Sequence, residues 1–313
     1  MVHPILGLHH VTATVDLAQD DLDLYAGVLG LRLVKKTVNF DNHNVFHFYY
    51  GNERGAPGTI WTTFPYHGWG VPAGTRGAGQ IRTTSFSVPA GSLDAWRAHL
   101  KSERILVTDL PPRFGDESIS FLDPSGLSVE LVANDKDQRA PWTHGKAPAG
   151  GEIRGLHSVT MQVRTPKPSV ALMTSVLGFT VVNEMEGRLR LAVNGDEPGK
   201  TIEIAHDENA PGARNGLGTV HHVAMAISTA DEQLRLREEL VQLGLHVTPV
   251  MDRQYFQSIY FREPGGVLFE VATVQPGFTA DEELPCLGLD LKLPPWEEPN
   301  RAVIEQGLPK ITV

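Results

Sequence analysis

The chain has 313 residues, enough for one large or two medium domains with a full core. Hydrophobic residues make up 41% and charged residues 20%, as in ordinary soluble globular proteins, and the formal net charge of −10 argues against nucleic acid and anionic membranes as partners. The opening MVHPILGLHHVTATV lacks a basic start followed by an apolar stretch, so no signal peptide is read. No apolar run approaches the roughly 20 residues that span a bilayer. Cys286 is the single cysteine, which excludes an intrachain disulfide. A cytoplasmic location is expected.

In chain order, four segments repeat one plan. The first opens on GLHHVTATV from Gly7, whose apolar–polar alternation predicts a half-buried strand. A helix-like stretch follows and stops at Leu29-Gly30-Leu31, and the segment closes on GTIWTTF. The second opens on GQIRTTSFSV from Gly79; Leu93, Trp96 and Leu100 then fall at helical spacing after Ser92, an expected N-cap, and the close is DPSGLSVELV. PWTHGKAPAGG, from Pro141 to Gly151, reads as a linker. The third segment opens on GLHSVTMQV from Gly155, ends its helix at Leu177-Gly178-Phe179 and closes on GKTIEIA. The fourth opens on GTVHHVAMAI from Gly218. Thr229 should cap DEQLRLREELVQL, whose first turn carries Asp231 and Glu232, and Leu243-Gly244-Leu245 ends it before EPGGVLFEVA closes the segment.

The unit is strand, helix and about three strands. The expected class is α+β: four tandem βαβββ modules forming two curled mixed sheets. The expected division is an N-terminal pair of modules in residues 1–145, a C-terminal pair in 152–277, and a tail, 278–313, that packs on the body.

Aligning the repeats makes the chain its own control. The opening strands offer His9-His10, Arg82-Thr83, His157-Ser158 and His221-His222 at one place. Successive strand residues face opposite sides, so one of each pair can face a given pocket. The closing strands offer Thr62, Glu130, Glu203 and Glu270. If modules one and four share a concavity, it holds His10, His222 and Glu270, with Thr62 in the fourth place. Modules two and three would then supply Thr83, Ser158, Glu130 and Glu203, a set without a nitrogen ligand that reads as a vestigial site. One metal per chain follows. Two histidines and a carboxylate suit ferrous iron with open positions, and they equally serve catalytic zinc.

The chain resembles the ring-cleaving extradiol dioxygenases of the vicinal oxygen chelate superfamily, and within them the hydroquinone-cleaving branch. The likeness runs over nearly the whole chain: LHHVTATV, the PGT-x-x-TTFP stretch at Pro57–Pro65, PRFG at Pro112–Gly115, His221-His222, the run from Tyr260 to Gly266 with Phe269-Glu270, and LGLDLKLPP at Leu287–Pro295. The resemblance implies Fe(II) on His10, His222 and Glu270, with manganese, zinc and nickel as alternatives. It implies that His9, Thr12, His221, Arg253 and Tyr260 support those ligands or touch the substrate, and that His221 or His9 acts as acid or base near pH 7. The implied reaction is O2-dependent cleavage of a small catechol or para-hydroquinone, in aromatic catabolism. The alternatives are a glyoxalase-like lyase or isomerase, and a non-catalytic protein that binds an aromatic or an antibiotic. A homodimer through paired sheet edges is the expected assembly. The loops Phe64–Arg76 and Asp207–Leu217 are the expected covers of the site.

Overall fold

The computed structural model describes residues 5–313; residues 1–4, which begin the first expected domain and the N-terminal segment, lie outside it. Module one runs β1 (Ile5–Val15), α1 (Ala18–Leu22), β2 (Arg32–Asn39), β3 (Asn42–Gly51) and β4 (Ile60–Pro65). Module two is β5 (Gln80–Val88), α2 (Leu93–Ser102), β6 (Thr108–Arg113), β7 (Asp116–Leu122) and β8 (Ser128–Ala133). Module three is β9 (Gly155–Val163), α3 (Pro166–Ser175), β10 (Thr180–Met185), β11 (Arg188–Ala192) and β12 (Thr201–His206). Module four is β13 (Thr219–Ile227), α4 (Ala230–Gln242), β14 (Met251–Asp252), β15 (Phe256–Arg262) and β16 (Leu268–Pro276). The tail carries α5 (Arg301–Gly307).

The fold is α+β, with two curled mixed sheets of eight strands each. One runs β14-β15-β16-β13-β1-β4-β3-β2 and the other β10-β11-β12-β9-β5-β8-β7-β6. Each sheet is thus joined at a central antiparallel seam, β1 on β13 or β5 on β9. Modules one and four share the first sheet, modules two and three the second, so each half of the chain gives one module to each. The opening strands lie in the middle of the sheets and are buried along nearly their whole length, with Val11, Val159 and Val223 fully enclosed. Burying such β-branched strands against the helices supplies most of the folding free energy, at about 25 cal/mol per Å² of apolar surface.

Local signals behave as physical chemistry dictates, with one exception. Gly178 and Gly244 follow α3 and α4 at φ of 80° and 84°, and Gly30, at 67°, follows the π-helical turn Asp23–Val28 that continues α1, a left-handed conformation that side chains resist. The Thr229 hydroxyl caps α4, accepting from the Glu232 amide at 3.2 Å. Ser92 does not cap α2. Its backbone is already helical (φ −85°, ψ −10°), and its hydroxyl turns back to donate to the Pro89 carbonyl at 2.6 Å. The two expected covering loops zip to each other through bridges at Ala73–Leu217, Thr75–Arg214 and Ala78–Gly212. The tail is fastened to β2: Lys35, fully buried, pairs with Asp281 and Glu282, and Arg32 donates to the Leu284 carbonyl at 2.7 Å. No helix among the described residues is long and apolar enough to cross a membrane.

One buried carboxyl makes stability depend on pH. Asp21 on α1 accepts from the Tyr50 and Thr63 hydroxyls, each at 2.6 Å, and burial pushes it up to about 7. The folded state therefore holds a proton that the unfolded chain releases near pH 4. The stability tied to that proton is present below pH 4 and lost as pH rises to 7. A shift of this size is worth up to about 4 kcal/mol. Asp21→Asn removes the burden of a buried charge. Its melting temperature relative to wild type should rise between pH 5 and pH 8; a constant difference across that range would show the carboxyl is not protonated.

Candidate metal centre

The site is built by strand register. On β1, Thr12 pairs with Thr62; on β13, Ala224 pairs with Glu270; on β5, Ser85 pairs with Glu130; on β9, Thr160 pairs with Glu203. In every module the closing-strand residue thus stands beside the position two past the second residue of the dipeptide. The four closing positions are equivalent to the residue.

In the first sheet's concavity three atoms converge. His222 Nε2 lies 2.8 Å from Glu270 Oε2, His10 Nε2 lies 3.2 Å from the same oxygen, and the two imidazole nitrogens are 3.2 Å apart. All three side chains are buried, and they form the cluster of potential metal ligands found among the described residues. Two ligands each about 2.1 Å from one ion at right angles are about 3.0 Å apart, whereas tetrahedral ligands are about 3.4 Å apart. The spacing fits three adjacent ligands that would hold one ion. Glu270 Oε2 is buried without a hydrogen bond of good geometry, as an atom reserved for a cation would be. Glu270 Oε1 is taken by the Ser258 hydroxyl. Burial alone would raise the Glu270 carboxyl, yet His10 and His222 hold it well below the ordinary range.

The first histidine of each pair serves the second. His9 Nδ1 is 2.9 Å from His10 Nδ1, and His221 Nδ1 is 2.8 Å from His222 Nδ1. If His10 and His222 offer Nε2 lone pairs to a metal, each must donate its Nδ1–H to its neighbour, which fixes both tautomers. His9 sits behind His10, edge-on to Phe256, and outside the cavity lining; His221 lines the cavity. Burial, and then the adjacent imidazole, lowers each to about 3, so both are neutral near pH 7.

Tyr260 stands directly across from Glu270 and shares its face, with its ring 5.6 Å from that of His222. Burial and the Glu270 charge raise its phenol, so it remains a donor. Arg253 donates from Nε to the Tyr260 oxygen at 3.1 Å and pairs with Asp41 at 3.1 Å across the mouth. Thr12 and Thr62 are joined at 2.8 Å, so the fourth place holds a hydroxyl already engaged, not a carboxylate. The cavity measures about 210 Å³ and is lined also by Asn39, His47, Tyr49, Phe64 and Tyr66. Of the two covering loops, the first lends Phe64 and Tyr66 to this lining; the second lends nothing. His47 and Tyr49 escaped the sequence reading. Strand register locates them, because Tyr49 pairs with Thr62 as Tyr260 pairs with Glu270.

The second concavity brings Glu130 and Glu203 together without imidazoles facing them. Arg113 bridges the two at 2.6 and 2.8 Å, and Arg190 reaches Glu203 at 2.8 Å. Ser85 adds a hydrogen bond to Glu130 at 2.8 Å.

Comparison with known proteins agrees with this geometry. Residues 155–271 match the model of the Glyoxalase/Bleomycin resistance protein/Dioxygenase superfamily. The chain is 40% identical over 308 residues to the Bacillus subtilis (strain 168) protein named "Putative ring-cleaving dioxygenase MhqO", covering 98% of this chain and 97% of that one. It is 38% identical over 300 residues to the chlorohydroquinone/hydroquinone 1,2-dioxygenase of Sphingobium indicum, covering 93% and 92%. A crystal structure from Bacillus subtilis, named as a "putative dioxygenase", superposes with TM-score 0.94 at 39% identity over 99% of both chains. Maize glyoxalase I, at TM-score 0.64 and 14% identity over 86% of this chain and 92% of its own, shares the fold. Repeat, register and relatives together place the chain in the glyoxalase/bleomycin resistance protein/dioxygenase superfamily, among relatives named ring-cleaving dioxygenases.

Proposed function

We propose that the chain is a ferrous-iron-dependent dioxygenase that opens a single-ring catechol or para-hydroquinone with O2, and that His10, His222 and Glu270 hold the iron. The observation that carries this reading is the convergence of two imidazole nitrogens and one carboxylate oxygen, 2.8–3.2 Å apart, at an aromatic-walled cavity. The relatives' names support the same chemistry. Iron so held supplies the electron path between diol and dioxygen.

The protein's own tasks are physical. Phe64, Phe256 and Tyr49 line a cavity of about 210 Å³ that suits a flat single ring. Tyr260, kept protonated and held by Arg253, donates a hydrogen bond toward oxygen that becomes anionic during reaction. His221, neutral and bonded through Nδ1 to His222, presents its Nε2–H as a second donor. A glyoxalase-like centre with a second carboxylate ligand finds Thr62 in that place instead, bonded to Thr12 and His47.

The test is dioxygen uptake by anaerobically reconstituted Fe(II) protein against a panel of catechols and para-hydroquinones. Uptake specific to one of them, with a ring-opened product absorbing in the near ultraviolet, is expected. Iron-loaded protein that consumes no dioxygen with any of them would overturn the reading. A second result is expected from Tyr260→Phe: kcat should fall roughly 10²- to 10³-fold, as for loss of one oxyanion donor, with iron content unchanged.

A further inference from the structure

The wall opposite Arg253 and Tyr260 carries a group with no task so far. β3 of module one and β15 of module four lie on either side of the seam, and the curl of the sheet sets them face to face. By the pairing of Tyr49 with Thr62 and Tyr260 with Glu270, His47 on β3 occupies the place of Ser258 on β15. Ser258 engages Glu270; His47 engages Thr62, with Nε2 at 2.9 Å from Oγ1. When Thr62 donates its hydroxyl proton to Thr12, it accepts from His47 Nε2–H. This leaves His47 Nδ1 with a lone pair, and no described residue donates to it. The ring is clamped by Tyr49 and Phe64, with centroids at 4.0 and 4.3 Å. Burial, with His10 and His222 nearby, holds it neutral, well below 6.5.

Several other polar groups lining the cavity already have partners. Asp41 is paired with Arg253, and Asn39 Oδ1 accepts from the Asp41 amide. The Tyr66 oxygen accepts from Asn39, and that of Tyr260 accepts from Arg253. His221 presents N–H. His47 therefore brings to that wall a ring nitrogen with no partner among the described residues.

We propose that His47 Nδ1 accepts the hydrogen bond of the substrate hydroxyl that does not bind the metal, and so selects a 1,4-diol over a 1,2-diol. A 1,2-diol turns both oxygens to one edge of the ring. A 1,4-diol sends its second oxygen across the ring to a wall. The assignment rests on the dioxygenase reading above and adds the residue that chooses among diols.

The test is anaerobic calorimetric titration of Fe(II) protein with hydroquinone, catechol and phenol. Wild type should bind hydroquinone about tenfold more tightly than phenol, the worth of one good hydrogen bond. His47→Phe should weaken hydroquinone about tenfold and leave phenol unchanged, bringing the ratio near one. His47→Gln, which keeps an acceptor oxygen, should restore part of it. A ratio unchanged in His47→Phe, or in His47→Leu should the larger side chain disturb folding, overturns the assignment, as does a wild-type ratio of one. A wild-type protein that binds none of the three ligands instead removes the dioxygenase reading beneath it. Metal content and circular dichroism separate both outcomes from unfolding.

Discussion

His222→Ala and Glu270→Ala are each expected to yield folded protein that no longer retains ferrous iron through desalting. Loss of a partner behind a ligand commonly costs about 10- to 100-fold in metal affinity, and loss of a ligand itself should exceed that. The apo site is already balanced, because Glu270 is held ionised by two imidazoles, so removing one member should perturb metal binding far more than the fold. Thermal shift gives a second readout. Iron at 100 times its dissociation constant stabilises the folded state by about 2.7 kcal/mol, worth roughly 4 °C for a chain of this size. Wild type should show that shift, and His10→Ala, His222→Ala and Glu270→Ala should not. A His10→Ala protein with stoichiometric iron and the full shift would refute the ligand set.

The positions that cluster in the first concavity were legible because a tandem repeat records equivalence in the chain itself. His10 and His222 stood out against Thr83 and Ser158 at the same place, and the register of β4, β8, β12 and β16 makes Thr62, Glu130, Glu203 and Glu270 equivalent. The fold was legible for the same reason, since four openings, closings and helix stops recur. What stayed hidden lies where comparison lacks an anchor. His47 and Tyr49 sit on a strand whose own motif does not repeat, and only pairing with Thr62 locates them. The Asp41–Arg253 contact joins residues 212 apart across two modules, which no local pattern reports. Ser92 had the right residue type for a cap, but Pro89 offered its hydroxyl a nearer acceptor. The histidine pairs were visible, but not the burial that lowers His9, His221 and His222.

Arginine tells the same story from the second concavity, and gives the other large expected effect. With Thr83 and Ser158 in the histidine places, Glu130 and Glu203 have no nitrogen partners to share an ion, yet Glu203 is wholly buried and Glu130 nearly so. A buried carboxylate must be paired or it becomes protonated. The chain supplies the cation itself: Arg113 spans both carboxylates, Arg190 holds Glu203 and Asp116, and Arg188 approaches Glu203 at 3.4 Å. Arginine suits this role because its rigid fork stays charged and bonds two carboxylates at once, which lysine cannot do. Arg113→Ala would strip the shared cation from two buried acids, a loss of about 3–5 kcal/mol in unfolding free energy. Arg113→Lys should recover only part of it. Because this pair of modules is remote from His10, His222 and Glu270, iron content per folded chain should not change. Urea unfolding of the two variants checks the claim. A cost below about 1 kcal/mol for Arg113→Ala, typical of an exposed pair, would mean that the guanidinium does not stand in the second sheet where a metal would stand in the first.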